Sequence, residues 1–397
     1  MNIAVLQGMV SGLTVAGATS VGVYSTNEQW DDITGGTPSG TTSLSGLSDW
    51  IPGAGTLAEA ETDCGSESFT EGTVALAQWT SDDTDNDLVC ASSASPLPTQ
   101  IYGTDAIGTS IAISEQEFPV AGSAKAVVLA RDDFFSDALA GGPLAAAVDG
   151  PLLLTEGADE SASLDPRTEA EVERVLPDGG TVYVLGGDLA LSSNIDTTLE
   201  GLGDKVVREA GADEYATAVD IAEQLGNPST IFEATGLAFY DALSAVPAAI
   251  KEHAAILLTD GSAQAPETAA YLAANPSDTR YAIGGTLAAA GADPTATAIY
   301  GQDLFNTSAA VASYFFPSPS IYGAATAADF PDALGGGVFM ATGGRMGPLL
   351  LVNQSAPLPP EITPYLSGLA VGTQGYVFGG PLAVEGSVLS ALQAAVG

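Results

Sequence analysis

Gly211-Ala212-Asp213-Glu214-Tyr215-Ala216-Thr217, Asp241-Ala242-Leu243 and Ile283-Gly284-Gly285 follow one another near the middle of the chain. The same three landmarks recur in the same order on either side. Upstream they are Gly103-x-Asp105-x-x-x-Thr109, Asp137-Ala138-Leu139 and Gly186-Gly187. Downstream they are Gly301-x-Asp303-x-x-x-Thr307, Asp332-Ala333-Leu334 and Gly379-Gly380. Self-similarity of this kind marks a supersecondary unit that is repeated along the chain. The units span 101–207, 208–298 and 299–397. The first and third agree further, with Ile101, Tyr102 and Ser110 matching Ile299, Tyr300 and Ser308.

Within a unit, strands and helices alternate. Ala126-Val127-Val128-Leu129-Ala130 is a short apolar run bounded by polar residues, which reads as a buried strand. An Ala-rich helix is expected from Asp137 towards Val148. Leu152-Leu153-Leu154 is a second strand, and a helix follows from about Asp165 with Pro166 in its first turn. Val182-Tyr183-Val184-Leu185 is a third strand, ended by Gly186-Gly187. Ile256-Leu257-Leu258 and Leu349-Leu350-Leu351 occupy the place of the second strand in the other units. This alternation predicts parallel sheets with helices on both faces.

Residues 1–90 lack the landmarks. Val21-Gly22-Val23-Tyr24 and Val74-Ala75-Leu76-Ala77-Gln78-Trp79 read as strands. Met1 to Val21 is apolar but holds no Lys or Arg, which is unlike a signal peptide. Its Ile3, Val5, Leu6, Met9, Val10 and Leu13 follow helical spacing instead. Extracellular character without such a signal suggests that a preceding segment is missing. Residues 91–100 (ASSASPLPTQ) read as a linker. Cys64 and Cys90 have no His or third Cys near them, so a zinc site is not expected. One disulfide, implying an oxidising compartment, is the favoured reading, with two buried thiols as the alternative.

The 397 residues carry 49 Asp and Glu against 9 Lys and Arg, for a formal net charge of -40. Such a surface repels phosphate backbones, so neither nucleic acid nor an anionic membrane is expected as a partner. No apolar run is long enough to span a bilayer.

Asp137, Asp241 and Asp332 each stand where a helix opens after a strand. They read either as N-caps or as polar groups at the carboxyl ends of the strands, where open α/β sheets bind ligands. The pairs Gly186-Gly187, Gly284-Gly285 and Gly379-Gly380 read either as tight turns or as backbone N–H groups that hold an anion or a sugar hydroxyl. Gly201-x-Gly203 fails as a dinucleotide fingerprint because Val206 takes the third glycine position. Asp83, Asp85 and Asp87 alternate as in a calcium loop. Leu88 and Ala94 then stand where Gly and Glu are needed, so a solvated acidic turn and no metal site is expected. His253 has no counterpart in the other units, and no Gly-x-Ser-x-Gly is present, so no catalytic residues and no cofactor are assigned.

In combination these landmarks resemble the cell wall-binding repeat 2 family. Its opening, centre, strand and close are seen in Arg208-Glu209-Ala210-Gly211-Ala212-Asp213-Glu214-Tyr215-Ala216-Thr217-Ala218, Asp241-Ala242-Leu243-Ser244, Leu257-Leu258-Thr259 and Ile283-Gly284-Gly285. The resemblance implies three Rossmann-like repeats in a pseudo-threefold arrangement. It also implies extracellular, non-catalytic anchoring to a cell-wall polysaccharide or peptidoglycan. Glu214 departs from the family's Arg, and the opening is degraded in the first and third copies. Residues 1–90 resemble the C-terminal end of a glycoside-hydrolase barrel related to the family 25 lysozymes. That likeness rests on Val21-Gly22-Val23-Tyr24-Ser25, Trp30, Ile33-Thr34-Gly35, Trp50-Ile51-Pro52-Gly53-Ala54, Cys64, Phe69-Thr70, Gln78-Trp79, Asp87 and Cys90. It implies a partial α/β barrel whose catalytic strands are not in the sequence, and hence no hydrolysis. A wall-anchored glycan hydrolase and a structural surface-layer component are the alternatives.

Overall fold

A computed structural model describes residues 2–15, 21–35, 44, 47–64, 66, 68–70, 72–81, 84–90, 95–157, 161–177 and 179–396. The chain divides into two compact units, Met1–Ser95 and Pro96–Gly397.

The first unit holds α1 (Asn2–Val15), β1 (Gly22–Tyr24), α2 (Asn27–Thr34), β2 (Ser48–Ala54), α3 (Leu57–Asp63), β3 (Val74–Ser81) and β4 (Thr84–Val89). Strands β1, β2 and β3 are parallel neighbours, and β4 returns antiparallel to β3. Trp30, Leu44 and Phe69 form one small core, against which Leu6 and Val10 of α1 pack. Asp49 is buried and accepts from the Phe69 backbone N–H and the Thr70 hydroxyl at 2.8 and 2.7 Å. Cys64, which ends α3, is disulfide-bonded to Cys90 beyond β4. The two-thiol alternative is thereby excluded.

The second unit holds three four-stranded, all-parallel sheets. The first sheet contains β6 (Ala126–Arg131), β7 (Leu152–Thr155), β8 (Thr181–Leu185) and β9 (Lys205–Glu209), in the order β7-β6-β8-β9. The second contains β10 (Thr230–Thr235), β11 (Ala255–Thr259), β12 (Thr279–Ile283) and β13 (Thr297–Ile299), in the order β11-β10-β12-β13. The third contains β14 (Ile321–Thr326), β15 (Leu349–Val352) and β16 (Gln374–Phe378). Its fourth strand is β5 (Thr99–Ile101), taken from the other end of the repeat region. The ring of three is closed by this pairing.

Each sheet has an inner helix between its first two strands. These are a 3-10 turn (Ser136–Ala138) with α5 (Gly141–Ala147), then α9 (Tyr240–Lys251) and α13 (Pro331–Phe339). The helix expected from Asp137 to Val148 is thus broken at Leu139 and Ala140, next to Gly141 and Gly142. A second set follows each fourth strand: α4 (Ala106–Glu117), α8 (Glu214–Gln224) and α12 (Leu304–Phe315). The remaining helices are α6 (Pro166–Val175) and α7 (Ser193–Gly201) in the first copy, α10 (Pro266–Ala274) and α11 (Ala289–Ala292) in the second, and α14 (Thr363–Ser367) and α15 (Gly386–Ala395) in the third. Helix α6 starts with Pro166 behind an Asp165 cap, as its sequence predicts. One central core draws residues from all three sheets, and separate clusters lie on the other faces of the first and third.

At the centre Phe135, Phe239 and Phe330 form a triangle with ring centroids 5.6, 5.9 and 6.0 Å apart. Each stands two residues before an Asp-Ala-Leu, so they mark the pseudo-threefold axis. No helix among the described residues is long and apolar enough to cross a membrane.

Candidate functional site

The opening landmark is a helix-start lock. Asp105, Asp213 and Asp303 are N-caps, accepting from Gly108, Ala216 and Asn306 N–H at 2.7, 2.9 and 2.8 Å. The hydroxyls of Thr109, Thr217 and Thr307 accept from the N–H of Gly103, Gly211 and Gly301, each at 3.2 Å. Any Cβ on those glycines would lie about 2 Å from the following helix, at 2.1, 2.1 and 1.9 Å, so only glycine fits.

Asp137, Asp241 and Asp332 are therefore not the N-caps; Phe135, Phe239 and Phe330 hold those positions and make no side-chain cap bond. Each carboxylate instead presses on the first glycine of its own pair. A Cβ on Gly186, Gly284 or Gly379 would lie 2.6, 2.3 or 2.4 Å from the Oδ2 of Asp137, Asp241 or Asp332. These glycines also have φ of 97, 111 and 106°, a region closed to most other residues. Their N–H groups are spent in the sheet, donating to Glu209, Ile299 and Ile101 carbonyls at 2.8, 3.2 and 3.1 Å. They cannot hold an anion; the tight-turn reading applies to them. The second glycines, Gly187, Gly285 and Gly380, are partly exposed.

The landmarks meet across copies. Each opening motif sends its strand into the preceding sheet and keeps its helix on its own. Thus β5, β9 and β13 complete the third, first and second sheets. Ser110 on α4 accepts from Leu154 N–H of β7 at 3.1 Å, and Ser308 on α12 accepts from Leu351 N–H of β15 at 3.3 Å. Arg208 and Gln100, at equivalent positions, donate to the carbonyls of Gly186 and Gly379 at 2.7 and 2.8 Å. Gln100 therefore fills the role of the missing motif Arg in the first copy. Thr217 lies within hydrogen-bonding reach of Asp137, and Thr109 of Asp332.

Burial raises the pKa of all three aspartates. The shift takes Asp241 to about 6, and for Asp137 and Asp332 it is opposed by the threonine contact.

Clefts of about 470 and 440 Å³ lie at the first–third and second–third junctions, at the carboxyl ends of the strands. The first joins Tyr102, Asp105 and Thr109 to Asp332, Gly380 and Leu382. The second joins Tyr300, Asp303 and Thr307 to Asp241, Gly285 and Leu287. Tyr102 lies over Gly380 and Tyr300 over Gly285, at 3.0 and 3.4 Å from a Cβ built there. At the third junction the equivalent residue is Ala210, and nothing lies within 4 Å of a Cβ on Gly187. The structure thus brings Asp241 and Gly285, and Asp332 and Gly380, into clefts.

Residues 100–196, 208–290 and 298–389 match the family described as Cell wall binding domain 2 (CWB2). The chain belongs to that family. Cell wall binding is accordingly the function of the CWB2 region. N-acetylmuramoyl-L-alanine amidase LytC of Bacillus subtilis (strain 168) is 26% identical over 258 residues, covering 64% of this chain and 50% of the amidase. The Amidase enhancer of the same organism is 32% identical over 134 residues, 34% of this chain and 18% of the enhancer. The chain thus spans half or less of the length of these relatives. Among solved structures, Cwp6 and Cwp8 from Clostridium difficile superpose with TM-scores of 0.66 and 0.67, each at 22% identity. They cover 81% and 76% of this chain, and the match takes in 52% of each. This likeness is one of fold: repeated α/β units.

The other singled-out residues do not join the clefts. His253 lies beyond the end of α9 rather than within a helix, with φ 51°. Asp149 occupies the equivalent place in the first copy with φ 54°, so the position is a helix terminus. Asp85 and Asp87 lie on β4 and accept from the Thr80 hydroxyl and the Trp50 indole N–H, each at 3.1 Å. Asp83 and Ala94 are outside the described residues, among which no group of side chains could hold a metal. The axial phenylalanines went unnoticed in the sequence, although Phe two residues before each Asp-Ala-Leu is a legible signal.

Proposed function

We propose that CWB2 modules 101–207, 208–298 and 299–397 hold this protein non-covalently on a bacterial envelope, outside the cell. They follow residues 1–90. The polymer bound is a cell-wall polysaccharide or peptidoglycan. The observation that carries the reading is the recurrence of one cleft, built from the same motif positions, at two module junctions. Ligands of open α/β sheets sit at the carboxyl ends of strands, where Asp241, Asp332, Gly285 and Gly380 lie. In this reading Asp137, Gly186, Gly187, Gly284 and Gly379 shape the junctions rather than touch the polymer.

Residues 1–90 are read as related to a glycoside-hydrolase barrel. The consecutive parallel strands β1, β2 and β3 support that kinship. For the anchoring role, the full chain is incubated with cell-wall sacculi and centrifuged. Cosedimentation is expected. Recovery wholly in the supernatant, across salt and calcium conditions, would refute the proposal.

A further inference from the structure

The two open clefts are alike in what they offer and in what they lack. Each has a tyrosine ring lying across the second glycine, 47% exposed for Tyr102 and 42% for Tyr300. Each is bounded opposite by a nearly bare leucine, Leu382 at 89% and Leu287 at 88% exposed. Each carries carboxylates, Asp105, Asp329 and Asp332 in one and Asp241 and Asp303 in the other, and one amide, Gln354 or Gln302. Neither is lined by Lys, Arg or His. Arg167, which bonds to Asp105, is also held by Asp165.

In a chain of net charge -40, a cation-free cleft lined with carboxylates repels phosphate and carboxylate groups. What suits it is an uncharged polyol with one apolar face. The C–H edges of a sugar ring are attracted to the negative face of an aromatic ring. Carboxylates and amides accept from hydroxyls in fixed directions. The volumes, about 470 and 440 Å³, fall within the range of about 300–1,000 Å³ found for small-ligand sites.

The first–second junction keeps the bare leucine, Leu189 at 75% exposed, and the aspartates Asp137 and Asp213, but differs in its ring and its cations. Ala210 replaces the tyrosine and leaves Gly187 uncovered. Arg131 is close enough to Asp137 to lower its pKa, and Arg208 pairs with Asp196 beside the glycine turn. We infer that the first–third and second–third junctions are a matched pair of sites for an uncharged pyranose, stacked on Tyr102 and Tyr300, and that the first–second junction is not a third. This rests on the anchoring role proposed above and names its ligand chemistry.

The test uses the full chain with ring-¹³C tyrosine. Neutral tetrasaccharides of glucose, galactose, mannose and N-acetylglucosamine are titrated beside uronate tetrasaccharides of matched length, with and without calcium. At least one neutral probe is expected to shift both the Tyr102 and Tyr300 signals with two equivalents bound. The uronates are expected to shift neither. Tyr102→Ala and Tyr300→Ala should each lower the stoichiometry from two to one, and the double variant should abolish binding. Both side chains are half exposed, and the titration of the unmodified chain stands even if a variant misfolds. The inference is overturned if no neutral probe shifts either tyrosine, if only uronates bind, if binding appears only with calcium, or if the double variant still binds two equivalents. Pelleting with sacculi separates the two readings. A chain that pellets but ignores neutral sugars keeps its anchoring role and loses this ligand, whereas one that does not pellet loses the anchoring role itself.

Discussion

The axis and the junctions of the CWB2 ring obey opposite packing rules. On the axis each module meets its own equivalents, whereas at a junction it meets a different part of its neighbour. A residue repeated three times can therefore serve every junction, as the Asp caps and the paired glycines do. On the axis a large residue repeated three times has to share one space. Five residues beyond each Asp-Ala-Leu aspartate stand Gly142, Val246 and Gly337. A Cβ on Gly142 would lie 2.5 Å from a Val246 methyl, and one on Gly337 would lie 3.0 Å from the Val246 side chain. One valine fills the place of three. Toward the Asp-Ala-Leu end the three phenylalanines fit together as a triangle. The axis is thus where the copies are obliged to diverge, and the junctions are where the motif can be kept.

The sharpest way to break this contrast is Gly142→Val. It forces a branched side chain onto Val246, and overpacking of this kind costs about 3 kcal/mol. Adding Val246→Ala to the same chain should recover most of the loss. Denaturant unfolding of the four-member cycle reads the coupling, and additive effects would mean the axis is not shared.

A smaller loss is expected at a junction. Gly284→Ala strains a positive φ and displaces the Asp241 carboxylate, for about 2 kcal/mol. Gly285→Ala, one residue on, meets Tyr300 only at 3.4 Å and should stay within about 0.5 kcal/mol. Equal melting temperatures for the two variants would erase the distinction between first and second glycine.

A third comparison sets the sheets against one another. Leu129, Glu233 and Ala324 are equivalent, and Glu233 is fully buried. Its carboxylate accepts from Gln264, beside an Asp293 that pairs with Arg280 at 2.8 Å. Burial raises its pKa to about 7. The folded state thus holds this proton more tightly than the unfolded chain. The stabilisation is complete below the ordinary carboxylate range and is lost as the pH climbs towards 7. Glu233→Gln should flatten that decline and raise stability at pH 8 by on the order of 1–2 kcal/mol. Melting curves from pH 4 to 8 follow it, and an unchanged slope would remove Glu233 as the source. A loss of about 1 kcal/mol is expected from Asp303→Ala, which deletes one cap, and Asp213→Ala should match it.

Much of this was legible before any coordinates. Apolar runs of three to five residues placed β6, β7 and β8, and Pro166 behind Asp165 placed the start of α6, because strands and caps are set by neighbouring residues. The tyrosine match between Tyr102 and Tyr300 was also visible. Its meaning was not, since the rings lie over Gly380 and Gly285, each in a different copy from its tyrosine. The cap reading of Asp137, Asp241 and Asp332 failed for the same reason. An Asp at a helix start reads as a cap, and only the glycine turn folded against it shows that the carboxylate is engaged elsewhere.

Sequence alone was sufficient for three α/β units, because periodicity, turn glycines and caps act over a few residues. Which sheet each opening strand enters was decided by tertiary structure. The exposed N–H and C=O groups of a parallel edge are the same whichever copy supplies the next strand. Only closure of the ring, with β5 laid against β16, buries the two edges that would otherwise stay open.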